Sequence, residues 1–112
     1  MTSLPLVLLL LCAAPALKDG LYSGTIPTRP GLVQLELKAN KAHLVNVVTV
    51  HLPPAEIEAS DFAVKVTEKT VCLSPAPVTV EPCLERKGQT LLARLASDKT
   101  VVTLEWVNLD AH

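Results

Sequence analysis

The sequence predicts an all-β domain, a small antiparallel sandwich or barrel of about seven to eight short strands. Two patterns lead to this fold class. Apolar and polar residues alternate with a period of two in several segments, and turn residues recur roughly every ten residues. The composition agrees, because 49% of the residues are hydrophobic while only 3% are aromatic, and Leu, Val and Ala supply most of the apolar side chains. No segment has a convincing helical period.

The predicted strands differ in how clearly the alternation marks them. Residues 32–38 give the clearest pattern, with Val and Leu on one face and polar residues on the other. Residues 42–52 carry apolar, often β-branched side chains on both faces, which favours a central strand. Residues 55–60 follow a Pro-Pro pair and are expected to form a loop or one helical turn. The predicted strands are residues 21–26, 32–38, 42–52, 62–67, 71–73, 78–80, 90–96 and 100–107.

The N-terminus has the organisation of a secretory leader. An apolar run at residues 4–12 is followed by a small-x-small sequence at residues 14–16. Such a run is too short to span about 30 Å of hydrocarbon as a helix, and this order of segments is typical of a cleaved signal. We therefore predict a signal peptide at residues 1–16, cleaved after Ala16, and a single all-β domain at residues 17–112. The alternative is that the run forms a buried strand or helix of the fold.

Cys12 follows a run of leucines, as the lipidated cysteine of a bacterial lipoprotein does. Such signals resemble one another in having a small residue just before the cysteine, and here Leu11 takes that place. This departure disfavours lipidation of Cys12, although the sequence does not decide the point. No second apolar stretch approaches about 20 residues, so no transmembrane helix is predicted.

Removal of the leader leaves two cysteines, Cys72 and Cys83. An even number of cysteines in an exported chain predicts a disulfide and a secreted or periplasmic location. The closed loop would stabilise the fold by roughly 3 kcal/mol in the chain-entropy model. Without a signal, the two residues would be free thiols in a reducing cell. Pro75, Pro77 and Pro82 cannot donate ladder hydrogen bonds, which favours an edge position for this hairpin.

Charge and motifs argue against several functions. A formal net charge of -1 gives no basic surface for nucleic acid. His43 and His51 would be roughly 26 Å apart on one strand and cannot share a metal ion. No serine or cysteine stands in a nucleophile motif, and no glycine-rich phosphate loop is present. We predict no enzyme activity, no cofactor and no metal.

A cluster of carboxylates lies between the predicted strands. Glu56, Glu58 and Asp61 could supply an acid and a base, or bind calcium. The interpretation that the pattern favours is a solvated loop beside the Pro-Pro pair.

The segment between the two cysteines is the candidate binding site. If it is exposed and covalently clamped, its pre-ordering lowers the entropy cost of binding a partner, as in protease inhibitors. The alternative is a loop stiffened only for stability. The candidate residues are Leu73, Ser74, Pro75, Ala76 and Pro77.

The functional prediction is an exported module that binds another protein or a small apolar ligand, without chemistry. An inhibitor presenting the loop between the cysteines is one alternative, and a lipocalin-like carrier of a small apolar ligand is another. Short strands argue against a central cavity, because a small barrel is filled by its own side chains. Residues 19–24 read D-G-L-Y-S-G, which is similar to the start of flavin-attachment domains and periplasmic lipocalin-like barrels. That likeness implies no functional residue, and the oligomeric state is not predicted.

Overall fold

The computed structural model describes residues 16–48 and 55–107, and only the backbone of residues 55 and 56. Apart from Ala16, the predicted leader lies outside the described residues, and so does Cys12. Signal cleavage and lipidation therefore stay predictions. The described strands are β1 (Gly20–Thr25), β2 (Leu32–Lys38), β3 (Lys41–Val48), β4 (Ala55–Val66), β5 (Thr70–Ser74), β6 (Cys83–Lys87), β7 (Thr90–Arg94) and β8 (Val101–Val107).

The eight strands close into an antiparallel barrel. Each strand pairs with the next one along the chain, and β8 returns to pair with β1. The all-β prediction is confirmed, and of the two predicted architectures the barrel is the one observed. No part of the described ranges forms a helix long and apolar enough to cross a bilayer.

The centre of the barrel is packed with apolar side chains. In β2 the predicted alternation is confirmed, since its Val and Leu side chains at positions 33, 35 and 37 are buried. A side chain with no exposed surface touches neither solvent nor a water-sized void. This holds for Tyr22, Val33, Leu35, Val71, Leu91, Val102 and Leu104, each with 0% exposure. The interior is therefore a close-packed core, and truncating one of its leucines to alanine would cost about 2–5 kcal/mol.

Glycine at position 24 permits β1 to approach β8. A Cβ atom at Gly24 would lie 2.0 Å from the carbonyl oxygen of Thr103. A backbone atom cannot move aside as the end of a flexible side chain can, so a larger residue would force the two strands apart. Closure of the barrel therefore depends on glycine at this position.

The hairpin between the cysteines differs from its prediction. Its second arm is β6, because Cys72 pairs directly with Cys83 and the ladder continues from there. Residues 78–80 contribute only an isolated bridge between Val80 and Leu95. The predicted edge position is also wrong. In a closed barrel β5 has a neighbour on each side, and the prolines lie in the loop between β5 and β6 instead.

The expected loop or helical turn at residues 55–60 is also wrong. These residues form the first half of β4, which runs for 12 residues. The reason is tertiary: pairing with β3 satisfies their backbone groups, and this outweighs the weak strand propensity of Ala and Glu.

Candidate ligand-binding cleft at one end of the barrel

The loops of the barrel divide between two ends. Loops at residues 26–31, 75–82 and 95–100 lie at one end, which we name the clamped end after the disulfide beside it. The short turns and the N-terminal residues 16–19 lie at the opposite end. We name residues 16–19 the strap and this end the strap end. Each end carries a cleft, and the two clefts differ in chemistry.

The loop at residues 75–82 is fixed to the barrel on both sides. The Cys72–Cys83 disulfide joins its two ends, with a Cα–Cα distance of 4.0 Å. Backbone hydrogen bonds add to this, since Ala96 N–H donates to the Thr79 carbonyl at 2.9 Å and Glu81 N–H donates to the Arg94 carbonyl at 2.8 Å. The disulfide was predicted from the sequence, and the structure contains it.

Glu58 holds the same loop from inside the barrel. Its side chain, on β4, is only 9% exposed. The backbone N–H groups of Val78 and Thr79 donate to its two carboxylate oxygens at 2.8 and 2.9 Å, and the Thr79 hydroxyl donates as well. Burial raises the pKa of Glu58, but these three hydrogen bonds together outweigh it and hold the pKa below its ordinary value. Glu58 is therefore a buried carboxylate anion at neutral pH, not a residue of a solvated loop.

A β-bulge lies beside Glu58. Asn46 of β3 pairs with Glu58, but the next residue, Val47, pairs with Glu56, so Ile57 is an extra residue on β4. Bulges re-aim side chains and are frequent beside functional sites. Here the bulge leaves Ile57 51% exposed at the mouth of the barrel.

Asn46 breaks the apolar interior of β3. It is 1% exposed, and its Oδ1 atom finds no hydrogen-bond partner among the described residues. A buried polar atom left without a partner costs about 1–3 kcal/mol, so such atoms are rare in folded proteins. The sequence contains a signal for this residue, because Asn46 occupies an interior position in an otherwise apolar alternation.

These features meet in one cleft of about 370 Å³. Asn46 forms part of its floor, and Ile57 and Val78 form an apolar rim, with Val78 81% exposed. Arg29 also lines the cleft and donates to Asp98 at 3.0 Å. The pKa of Asp98 is lowered first by hydrogen bonds from the backbone and side chain of Thr100, and then by Arg29. The remaining lining residues are Thr79, Ala96 and Ser97.

The cleft at the strap end is larger, at about 480 Å³, but the strap lines it. Its buried cation is Arg86, which is 7% exposed and donates to the carbonyl oxygens of Gly88 and Thr67 at 2.9 and 3.1 Å. Leu17 of the strap packs against the core there. Those contacts belong to the fold itself, so we take the clamped-end cleft as the candidate site.

The residues of the predicted loop site differ in their exposure to solvent. Ser74, Pro75 and Ala76 are exposed as expected, but Leu73 and Pro77 are buried, so the expectation of a fully exposed segment is wrong for these two. Leu73 belongs to β5 and faces the core by the alternation of that strand. The loop reaches the cleft through Val78 and Thr79, which follow the predicted segment.

The other candidate groups do not assemble into a site. His43 is exposed and its Nδ1 lies 2.8 Å from an Asp61 carboxylate oxygen. His51 and His112 lie outside the described residues, as does the side chain of Glu56. Within the described ranges, no group of three His, Cys, Asp or Glu residues could hold a metal ion.

Comparison of the chain with models of protein families, with curated proteins and with solved structures finds no match.

Proposed function

We propose that this chain is an exported binding module that takes its ligand in the clamped-end cleft. The observation that carries the proposal is the buried Oδ1 of Asn46. Asn46 lines the cleft, and this atom has no hydrogen-bond partner among the described residues. Retention of so costly a group is explained when a ligand supplies the missing donor. The apolar rim of Ile57 and Val78 supports the same reading, because binding clefts combine apolar walls with a few polar groups.

The rigidity of the loop beside the cleft favours ligand binding. Because the disulfide and Glu58 fix residues 75–82 before any ligand arrives, little conformational entropy is lost on binding. A disulfide also fits an oxidising compartment, which supports the proposed secreted or periplasmic location. Because the barrel centre is filled by side chains, a carried ligand would bind in a cleft at one end of the barrel and not in a central cavity.

An NMR fragment screen tests the proposed site. Oxidised, ¹⁵N-labelled protein is titrated with a library of small neutral, cationic and anionic fragments. We expect several fragments to shift the amide signals of Val78 and Thr79 and the side-chain amide of Asn46. Fragments that shift only the strap-end residues Asn40 and Glu68, or no described residue, would contradict the proposal. Expression of the full chain with a secretion-competent host tests export: intact mass should show loss of residues 1–16 and of two hydrogens.

An inhibitor remains the second candidate, because Ser74, Pro75 and Ala76 are exposed on a loop that is fixed at both ends. The test is inhibition of a panel of serine proteases by the wild-type protein and by a variant with glycine at these three positions. Inhibition by the wild type that the variant loses would support the candidate. No inhibition, or equal inhibition by both proteins, would remove it.

A further inference from the structure

The clamped-end cleft has a hydrogen-bond acceptor at its floor for which no described residue supplies a donor. Asn46 lines the cleft, and its Oδ1 atom is buried without a hydrogen-bond partner among the described residues. Donors in the loop at residues 75–82 are already used, because the N–H groups of Val78 and Thr79 and the Thr79 hydroxyl donate to Glu58. A ligand that pairs with this oxygen must therefore bring a donor of its own.

The described charges at the clamped end cancel. Among the described residues that line the cleft, Arg29 carries a charge, and its guanidinium lies 3.0 Å from a carboxylate oxygen of Asp98. The described charged groups of this end are equal in number for the two signs: Arg29, Arg94 and Lys99 against Glu58, Glu81 and Asp98. These charges therefore draw neither a cation nor an anion into the cleft.

Burial at the floor disfavours a charged head group. Asn46 is 1% exposed, so a group that reaches it leaves water. A charged group leaves water at a far greater cost than an uncharged polar group, and only a close opposite charge offsets that cost. Glu58 does not line the cleft and its carboxylate already accepts three hydrogen bonds, while Arg29 is paired with Asp98. An uncharged donor therefore satisfies the Asn46 oxygen at the lowest cost.

The mouth of the cleft is aliphatic. Ile57, set outward by the bulge, and Val78, in the loop at residues 75–82, form apolar walls above the polar floor. The volume of about 370 Å³ lies at the lower end of the range of small-molecule sites. An apolar entrance above a single acceptor matches a small ligand with an aliphatic stem that ends in a donor.

We infer that the cleft binds a small uncharged molecule with an aliphatic stem and a terminal hydrogen-bond donor, the chemistry that a primary carboxamide and an alcohol share. The donor pairs with Asn46 Oδ1, and the stem lies between Ile57 and Val78. This inference rests on the proposed function, because it names the ligand class of the same cleft. A carboxamide N–H and a hydroxyl O–H both donate without carrying a charge at pH 7.

Four probes with the same butyl stem and different head groups test the inference: pentanamide, 2-hexanone, pentanoate and pentanamidinium. The ketone has the shape of the amide without a donor, and the two ions add a charge of either sign. Each probe is titrated into ¹⁵N-labelled protein at pH 7, and the amide shifts of Val78 and Thr79 give the affinity. We expect pentanamide to bind at least about fivefold more tightly than each of the others, because they lack the donor or pay for desolvation of a charge.

The outcomes separate the ligand class from the cleft. Equal or tighter binding of 2-hexanone at Val78 and Thr79 would show that the donor is not used. Equal or tighter binding of pentanoate or pentanamidinium would show that charge decides. Each of these results would overturn the inference and leave the proposed cleft intact, whereas no shift with any of the four would count against both.

A substitution at the floor provides the second arm. Asn46→Val replaces the acceptor with an apolar group, so the preference for pentanamide over 2-hexanone should fall from about fivefold or more to about one. A ratio of two affinities separates the lost acceptor from a general change in the cleft. The matched control is Val107→Ala, an exposed valine at the opposite end of the barrel, for which we expect an unchanged ratio. A ratio that Asn46→Val leaves unchanged would overturn the inference.

Stem length and head group complete the test. From acetamide to pentanamide, each added methylene that the rim buries should raise the affinity by up to about fourfold, because about 0.8 kcal/mol is gained per buried CH₂. A flat series would contradict the placement of the stem between Ile57 and Val78. 1-Hexanol, which equals pentanamide in size, then distinguishes the two head groups: whichever binds more tightly identifies the donor that the floor prefers. If neither binds more tightly than 2-hexanone, the uncharged donor class is wrong.

Discussion

The two ends of the barrel differ in how far their polar groups find hydrogen-bond partners and their apolar side chains are covered. At the strap end, side chains from three strand or turn positions hold the strap, since the Tyr22 hydroxyl donates to the Lys18 carbonyl at 2.6 Å and Trp106 Nε1 donates to the Asp19 carbonyl at 3.1 Å. Gln89 accepts from Lys18 N–H at 3.0 Å, a contact that remains if residues 1–16 are removed. At the clamped end, the Oδ1 of Asn46 has no hydrogen-bond partner within the described ranges, and the side chains of Ile57 and Val78 are exposed to solvent.

The difference shows where the chain departs from maximum stability. Stable folds satisfy buried polar groups and cover apolar surface, and departures from both rules concentrate at functional sites. The clamped end combines a bulge, an exposed apolar rim and an amide oxygen without a partner in the described part of the chain, all within one cleft. The rigidity needed to keep these groups in place comes from Glu58 and the disulfide. The following substitutions separate the rigid frame from the site that it holds.

Removal of the Glu58 carboxylate is expected to have the largest effect. Glu58→Ala deletes three hydrogen bonds to an anion, so we expect unfolding free energy to fall by about 3 kcal/mol. Urea denaturation at pH 7 measures the loss. The matched control is Glu36→Ala on β2, an exposed glutamate on the outer face, which should change stability by less than about 0.5 kcal/mol. Equal losses for the two variants would contradict the role assigned to Glu58.

Protonation of Glu58 at low pH should also lower the free energy of unfolding, by less than Glu58→Ala does. The pKa of Glu58 in the folded protein lies below its ordinary value of 4.5, so its contribution to stability is fully present above that pH. The contribution is lost as the pH falls below 4.5 and through the lowered pKa, because the unfolded chain then binds the proton more readily. Urea midpoints at pH 7, 5 and 3.5 measure it. The pKa of Asp98 is lowered as well, so the test is the difference between the wild type and Glu58→Gln. If both proteins lose equal stability from pH 5 to 3.5, Glu58 does not contribute.

Replacement of Asn46 should act in the opposite direction. Asn46→Val removes a buried oxygen that accepts from none of the described residues, and it adds a β-branched side chain to a strand. We therefore expect a gain of about 1 kcal/mol. Thermal and urea denaturation of the unliganded protein check this. Asn46→Thr is the matched control, because threonine keeps the β-branched shape but retains a polar group, and its gain should be smaller. A loss of stability in Asn46→Val would show that the amide is already satisfied, and would remove the main support for the cleft.

The sequence predicted strands accurately where the alternation within one segment is enough to define a buried and an exposed face. Residues 32–38 have the same bounds as β2, because their period of two already separates a buried face from a wet one. The prediction was wrong where strand formation depends on pairing with a segment far away in the chain. Residues 55–60 became strand through pairing with β3, and β6 begins at Cys83 because Cys72 lies opposite. Such pairings join segments far apart in the chain and leave no local period.

The candidate site was only partly predictable for the same reason. The cysteine pair and its loop could be read directly, but an exposed Pro-rich segment was expected where Leu73 and Pro77 are buried. The cleft itself is made by the bulge at Ile57 and by the meeting of three loops, and neither follows from local patterns. Asn46 is the residue through which the sequence indicates this site, because a polar residue on the apolar face of a strand requires a hydrogen-bond partner.

The last expected effect, about as large as that of Asn46→Val, concerns the strap end. Tyr22→Phe removes the hydroxyl that donates to the Lys18 carbonyl and keeps the buried ring, so the loss should be about 1 kcal/mol. Hydrogen exchange at the Lys18 amide should become faster as the strap loosens, while exchange at Val78 and Thr79 stays unchanged. The affinity for a fragment that shifts the amide signals of Val78 and Thr79 should stay within twofold of the wild type, because the packed core separates the two ends. Weaker binding beyond twofold would mean that the strap and the cleft are coupled, and the division of the barrel into a stabilising end and a binding end would be wrong.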